Sequence, residues 1–296
     1  MATRGKIQNL KFLLCSVGLL FAGCQLGAAK SQSPLLADPK AGTLEVSPGH
    51  GTQIVIVPQW HLSPRASTRK TQATLPQAQN QIAIYDQLAE WIAAGQLHSV
   101  IVEGCEGEIK DGFPATFNDW NLKDLQALSA SQLEPVLTQV GLKLKARFGE
   151  KIQVLCGDDL ALVQRHQMIL SDLNGLFGFK ARIAQLKSDP TKQKNYINGA
   201  RQILKLPLST ASDGVLLALE QDLQTKLAEF EKVLEMRNAA FVKTAKSALK
   251  PTAIVIGAVH VDDLQAQLGP QDIAIFHPLG LIGDESELIR QIRVDR

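Results

Sequence analysis

Five short apolar runs, rich in β-branched residues and mostly followed at once by a polar or titratable group, constrain this chain more than any other feature. They lie at 53–57 (QIVIV), 99–102 (SVIV), 152–155 (IQVL), 253–256 (AIVI) and 272–276 (DIAIF). Continuous apolar runs of this length, bounded by turn residues, are the pattern of strands buried on both faces, as in a parallel sheet. The stretches between them carry apolar residues at helical spacing. Strands alternating with helices predict an α/β fold: a mostly parallel sheet flanked by helices. The run from about 159 to 250 contains no strand and reads as a helical insertion, or lid, packed on the sheet.

The helical stretches have legible ends. Ile82, Tyr85, Leu88 and Trp91 form a stripe over 77–94, and Gly95 fits a C-terminal stop. Ser131 and Glu134 make a capping box that opens a helix running to about 148, where Gly149 ends it. A helix follows from 159 to about 188, with a break expected at Gly175 and Gly178. A polar turn over 188–195 precedes a short helix carrying Ile197, Ile203 and Leu204. The pattern over 213–249 is long and free of proline. Its apolar positions include Leu216, Leu217, Leu219, Leu223, Phe241 and Leu249, and Arg237-Asn238 interrupt it. A last short helix is expected near 285–292.

Residues 1–23 read as an export signal: Arg4, Lys6 and Lys11 precede an apolar run, and small residues follow. The end, Leu20 to Cys24, resembles the lipobox of bacterial lipoproteins, which implies a lipid on Cys24. Gln25 after it implies the outer membrane, so the expectation is an envelope lipoprotein facing the periplasm, with the membrane as a partner through its anchor. The whole chain has 31 Lys and Arg against 29 Asp and Glu, and three of the bases lie in the signal. A chain cut there carries one more acid than it has bases, which gives no reason to expect nucleic acid as a partner. Residues 24–50, rich in Ala, Gly, Ser and Pro, read as a flexible tether. Residues 51–296 then form a single α/β domain. Cys105 and Cys156 both stand near strand ends, either as a disulfide in an oxidising compartment or as two small apolar residues.

In a parallel sheet all carboxyl ends share one edge, and in open α/β sheets that edge is where ligands bind. His61, Glu103, Asp158, Asp159, His260 and His277 fall there. Two imidazoles and one carboxylate from separate strands, His61, Glu103 and His260, make a first shell for a divalent transition metal such as manganese, cobalt or zinc. Without metal the same groups suit general acid/base work. Plainer readings stand beside these. Glu103 pairs with an arginine, Asp158 and Asp159 cap the next helix, and Arg237-Asn238 lie on a solvated face. In the functional alternative Arg237 reaches over the edge to bind a carboxylate and Asn238 orients a ligand. His50, His98 and His166 lie in loops or on helix faces and receive no role.

The ordered set of motifs resembles the superfamily of the TraB and Tiki proteins, the erythromycin esterases and the haem-binding ChaN lipoproteins. Gly257-Ala258-Val259-His260 matches its strand-then-GxxH element, Glu103 in IVEG its strand-then-Glu element, and Arg237-Asn238 its helical Arg-Asn pair. Cys156-Gly157-Asp158 is similar to a Gly-Asp element. The first GxxH departs: Pro58-Gln59-Trp60-His61 has proline where glycine is expected. The resemblance, over roughly 53–265, implies an α/β fold with a helical insertion and a metal site at His61, Glu103 and His260. It implies a metal-dependent hydrolase acting on a peptide or a small-molecule ester. The catalytic set would be Glu103, His61, His260 and Arg237, with Asn238 and Asp158 binding the ligand. The alternative is a lipoprotein that binds haem or iron without turnover. Tyr85 and Tyr196 are the only tyrosines and neither falls at the sheet edge, which suits a tyrosinate haem site poorly. A third reading is a scaffold whose site has degenerated at Pro58.

Overall fold

The computed structural model describes residues 35–47, 51–60, 74–110, 140–270, 272–280 and 292. The signal at 1–23, Cys24, His61, the polar loop after it to residue 73, the capping box at Ser131 and the helix expected near 285–292 (Ile292 apart) lie outside these residues. Strands β1 (Gly42–Val46), β2 (Ile54–Gln59), β3 (Ser99–Val102), β4 (Gln153–Cys156), β5 (Thr252–Gly257) and β6 (Ile273–Pro278) form one sheet in the order β1-β6-β2-β5-β3-β4. All neighbours are parallel except β1, which runs antiparallel to β6. The mostly parallel α/β sheet expected from the five runs is therefore present, with one strand more.

That extra strand corrects the tether. Residues 42–46, expected to be flexible, are β1. GTLEV is short, and its Thr43, Glu45 and Val46 are exposed. Such a segment becomes a strand only because β6 offers it an unpaired edge. Gly42 is needed there: a Cβ would lie 2.2 Å from the carbonyl oxygen of His277.

Alternation along the strands sorts the core into two faces. Val55, Val57, Val100, Val102, Val154 and Val255 pack on one side. That side is covered by helices α1 (Thr74–Ala93) and α2 (Val140–Phe148). Ile56, Ile101, Ile254 and Ile256 point to the other side, toward the long helix α5 (Ser212–Ser247) and α6 (Val261–Leu268). Neighbouring strands β2 and β5 thus send their following helices to opposite faces. This is a topological switch point, where a crevice opens at the carboxyl edge.

Pro58 sits in β2 at this crevice. The pairing of β2 with β6 stops at Ile56 opposite Ile275, whereas its pairing with β5 continues to Gln59 opposite Gly257. Proline is tolerated because the strand has one partner left at that point.

The insertion is built of helices α3 (Leu160–Gln185), α4 (Pro190–Ile203) and α5, with no strand among its residues. Three local expectations change. First, α3 runs unbroken through Gly175 and Gly178. Both face solvent, and Leu173, Leu176 and Phe177 on the packed side hold the helix despite a propensity cost of about 1 kcal/mol per glycine. Second, the expected turn over 188–195 is mostly the start of α4, with Asp189 accepting from Lys192 N as its N-cap and Pro190 in the first turn. Third, Leu216, Leu217 and Leu249 are exposed. The packed stripe of α5 is Val215, Leu219, Leu223, Leu227, Phe230 and Leu234, against α3 and α4. α5 spans 36 residues, about 54 Å at 1.5 Å per residue. Its last turns, with Phe241, Val242 and Ala245, lie over the sheet.

Candidate active site

One carboxylate joins the carboxyl ends of three adjacent strands. Glu103, one residue past β3, accepts at Oε1 from the Gln59 side-chain amide of β2 and from the backbone N–H of Gly257 in β5, both at 2.8 Å. Gln81 of α1 donates in turn to Gln59 Oε1 and to the Trp60 carbonyl. The other oxygen, Oε2, lies 3.5 Å from Arg237 Nη2.

Arg237 enters from α5 at a position the helix otherwise fills with apolar side chains, and it is buried. Its guanidinium grips Asp158 in a two-pronged contact, Nε to Oδ1 at 2.8 Å and Nη2 to Oδ2 at 2.9 Å. Asp158 Oδ2 also accepts from Gly104 N at 2.7 Å. Gly157 makes the approach possible, since a Cβ there would stand 2.3 Å from the ring of Phe241. Burial opposes the charge on Arg237, but the hydrogen bonds and charges of Asp158 and Glu103 together outweigh it and raise its pKa.

The third nitrogen, Nη1, faces Nδ1 of His166 at 3.2 Å. An arginine only donates, so His166 Nδ1 accepts and the ring proton resides on Nε2. Burial, and next the Arg237 charge, lower the His166 pKa to about 4, while Glu103 acts the other way. The imidazole is therefore neutral at neutral pH.

His260 has the opposite tautomer. It closes a short 3-10 turn after β5, at the start of α6. Its Nδ1 lies 2.7 Å from Asn238 Oδ1. Asn238 donates its Nδ2 to Asp263 Oδ2 at 2.6 Å and more weakly to the His260 carbonyl. Asp263 can only accept there, so the amide NH2 faces it and the amide oxygen faces His260. His260 Nδ1 thus carries a proton. The two imidazoles stand 6.1 Å apart, centre to centre, with their planes 22° from parallel.

Most of the expected residues meet. Glu103, Asp158, Arg237, Asn238 and His260 form one buried polar cluster at the carboxyl edge. Asn238 and Arg237 are not on a solvated face. The three nitrogens of Arg237 face Asp158, Glu103 and His166. Asp158 holds Arg237. Asp159 caps α3, accepting from Ala161 N and Leu162 N. His277 lies apart, exposed near the end of β6 and beside Glu45 of β1. His166, given no role from the sequence, belongs to the cluster. The signal for it was its register, because His166, Ile169, Leu173 and Leu176 make one buried stripe of α3.

Cys105 and Cys156 form a disulfide. It ties the loop that follows Glu103 to the strand that precedes Asp158, and Cys156 N donates to Gly107 O across the same gap. Beside Asp158 the surface holds a cavity of about 500 Å³, edged by Asp159, Lys243, Thr244 and Ser247.

The metal fits this donor set only in part. Among the described residues no three His, Cys, Asp or Glu side chains converge as ligands. His260, with Nδ1 held by Asn238, has the form of a buttressed ligand. Glu103 is bonded through Oε1 to two strands. A complete set needs His61, which lies outside the described residues.

No protein-family model matches the chain, and no curated protein or solved structure shows detectable similarity to it.

Proposed function

We propose that this protein is a hydrolase of the bacterial cell envelope, held by a lipid on Cys24 and facing the periplasm, that adds water to an ester or amide bond at the carboxyl edge. The observation that supports this reading best is the chain Asp263–Asn238–His260, which orients a buried imidazole at a topological switch point. His260 Nε2 takes a proton from water as the water oxygen bonds to the carbonyl carbon and the C=O electron pair moves onto oxygen. Collapse of that tetrahedral species breaks the C–O or C–N bond, and the imidazolium returns its proton to the leaving alcohol or amine. Glu103 and Arg237 keep the strand ends and the neighbouring imidazole in place.

The resemblance to the TraB, Tiki, erythromycin esterase and ChaN superfamily is part of the same proposal. So is a divalent metal on His61, Glu103 and His260, which would supply an acidified water and polarise the carbonyl. One lone pair on His260 serves one role, so metal content separates ligand from base. Elemental analysis of the purified chain, as isolated and after loading with manganese, cobalt or zinc, is made with His260→Ala beside it. An ion stoichiometric with the chain and lost in the variant makes His260 a ligand; no ion makes it the base. In either case hydrolysis of p-nitrophenyl esters or a peptide panel falls by about 10²-fold or more in both His260→Ala and Glu103→Gln. Unchanged hydrolysis in both folded variants would sink the proposal. A Soret band on haem titration, lost with His260→Ala and without any hydrolysis, would point instead to a ligand-binding lipoprotein.

A further inference from the structure

Helix α1 buries the amide side chains of Gln77, Asn80, Gln81 and Gln87. Two of them place their donors inside the fold. Gln81 Nε2 donates to Gln59 Oε1 and the Trp60 carbonyl, and Gln87 Nε2 donates to Glu90. Asn80 differs. It is fully buried, its Oδ1 accepts from Trp60 N at 2.8 Å, and its Nδ2 has no hydrogen-bond partner among the described residues. Trp60 N only donates, so the amide oxygen faces it and the NH2 group is the half left over. A buried donor without an acceptor is costly and uncommon in native folds, and such a group calls for an explanation.

The place of this amide supplies one. Trp60 is the first residue beyond β2, so Asn80 stands at the carboxyl edge, on the β2 side of the switch point. Gln59, the residue before Trp60, donates to Glu103. Asn80 lies in the second turn of α1, and helical side chains lean toward the amino end, where the helix dipole favours negative charge. The first turn of α1 has no acidic residue, and the helix has no Lys or Arg. A neutral donor beside a partial positive charge suits an oxygen that carries one negative charge or less. The crevice is where a ligand would bring one.

We propose that Asn80 is a ligand-binding residue of this crevice, its Nδ2–H donating to the oxygen of an acyl group: the carbonyl of the ester or amide before hydrolysis, the carboxylate after it. The assignment deepens the hydrolase reading and rests on it for the identity of the ligand.

Acetate, the product of p-nitrophenyl acetate, tests the assignment without turnover. In full-length chain labelled with 15N at asparagine and tryptophan, the Asn80 NH2 signals are found by their closeness to the Trp60 backbone N–H. Sodium acetate moves one of the two protons downfield and saturates, whereas sodium chloride at equal ionic strength does not. Signals that acetate leaves unmoved mean that a buried water takes the bond, and overturn the assignment. Asn80→Asp keeps an oxygen for Trp60 N and replaces the NH2 donor with a second oxygen. In that variant half-saturation by acetate, read at the Trp60 backbone signal, rises about 10-fold or more, and kcat/KM for p-nitrophenyl acetate falls by a similar factor. Wild-type affinity for acetate in Asn80→Asp also overturns the assignment. If the variant does not fold, the wild-type spectra decide alone. If the wild type hydrolyses nothing, the hydrolase reading fails by itself, and the acetate titration still decides what Asn80 binds.

Discussion

The two ends of the β3–β5 pair solve the same problem in different ways. At the amino end Ser99 and Thr252 are fully buried and face each other. Their hydroxyls lie 2.6 Å apart, with the carbonyl oxygens of Leu249 and Ser99 within 3.3 Å as further acceptors for their two protons. Two neutral groups satisfy one another. At the carboxyl end, Glu103, Asp158, Arg237 and two imidazoles occupy a comparable buried space. Burying charge is a poor route to stability, because desolvation offsets most of the attraction even in well-formed pairs. A fold that needed only to tie strand ends together had the amino-end solution available. The charged end therefore reads as a place kept for chemistry.

The sharpest way to break that comparison is to strand a charge. Arg237→Met leaves Asp158 and Glu103 buried without their counter-ion and lowers stability by about 3–5 kcal/mol in urea unfolding. Adding Asp158→Leu restores more than half of the loss, because the two charges are not needed for folding. If the double variant is no more stable than the single one, the carboxyl end is structural after all. Removing the Cys105–Cys156 crosslink with paired alanines costs roughly 3–4 kcal/mol, as expected for a loop closed over 51 residues. The same change releases the Glu103 loop, so hydrolysis falls with it, whereas an amino-end variant of equal stability keeps its rate.

Acid sharpens the contrast next. Unfolded His166 titrates near 6.5 and folded His166 near 4. Between these values the unfolded chain holds a proton that the folded chain does not, so stability is full above 6.5 and declines as pH falls through the window. The shift corresponds to roughly 3 kcal/mol. His166→Asn lacks this component, and its urea midpoint falls less than that of the wild type between the two ends of the window. Equal falls would mean that His166 is not neutral in the fold. The smallest effect belongs to the amino end. Thr252→Val removes one bond to the Ser99 carbonyl and costs about 1 kcal/mol.

What could be read from the chain, and what could not, divides along the same physical line. The apolar runs that became β2 to β6 were legible because their burial on both faces demands an unbroken hydrophobic pattern. The strand-end placement of Glu103 and His260 followed from the sheet being parallel. β1 was illegible because an edge strand is half exposed and polar, and its identity depends on a partner more than 200 residues away in β6. His166 was illegible for another reason. A lone histidine on a helix acquires meaning only from what it faces, and that is Arg237, 71 positions further on. Arg237 itself interrupted an apolar stripe, which marked it as unusual, but not as the residue that orients others. Its contacts with Asp158 and Glu103 are tertiary facts that no local pattern carries.

The measurement that tests the central claim most directly is the rate of p-nitrophenyl acetate hydrolysis in His260→Gln beside that in Thr252→Val. The account predicts a loss on the order of 10²-fold or more at the carboxyl end and a wild-type rate at the amino end. Equal rates in the two variants would contradict it.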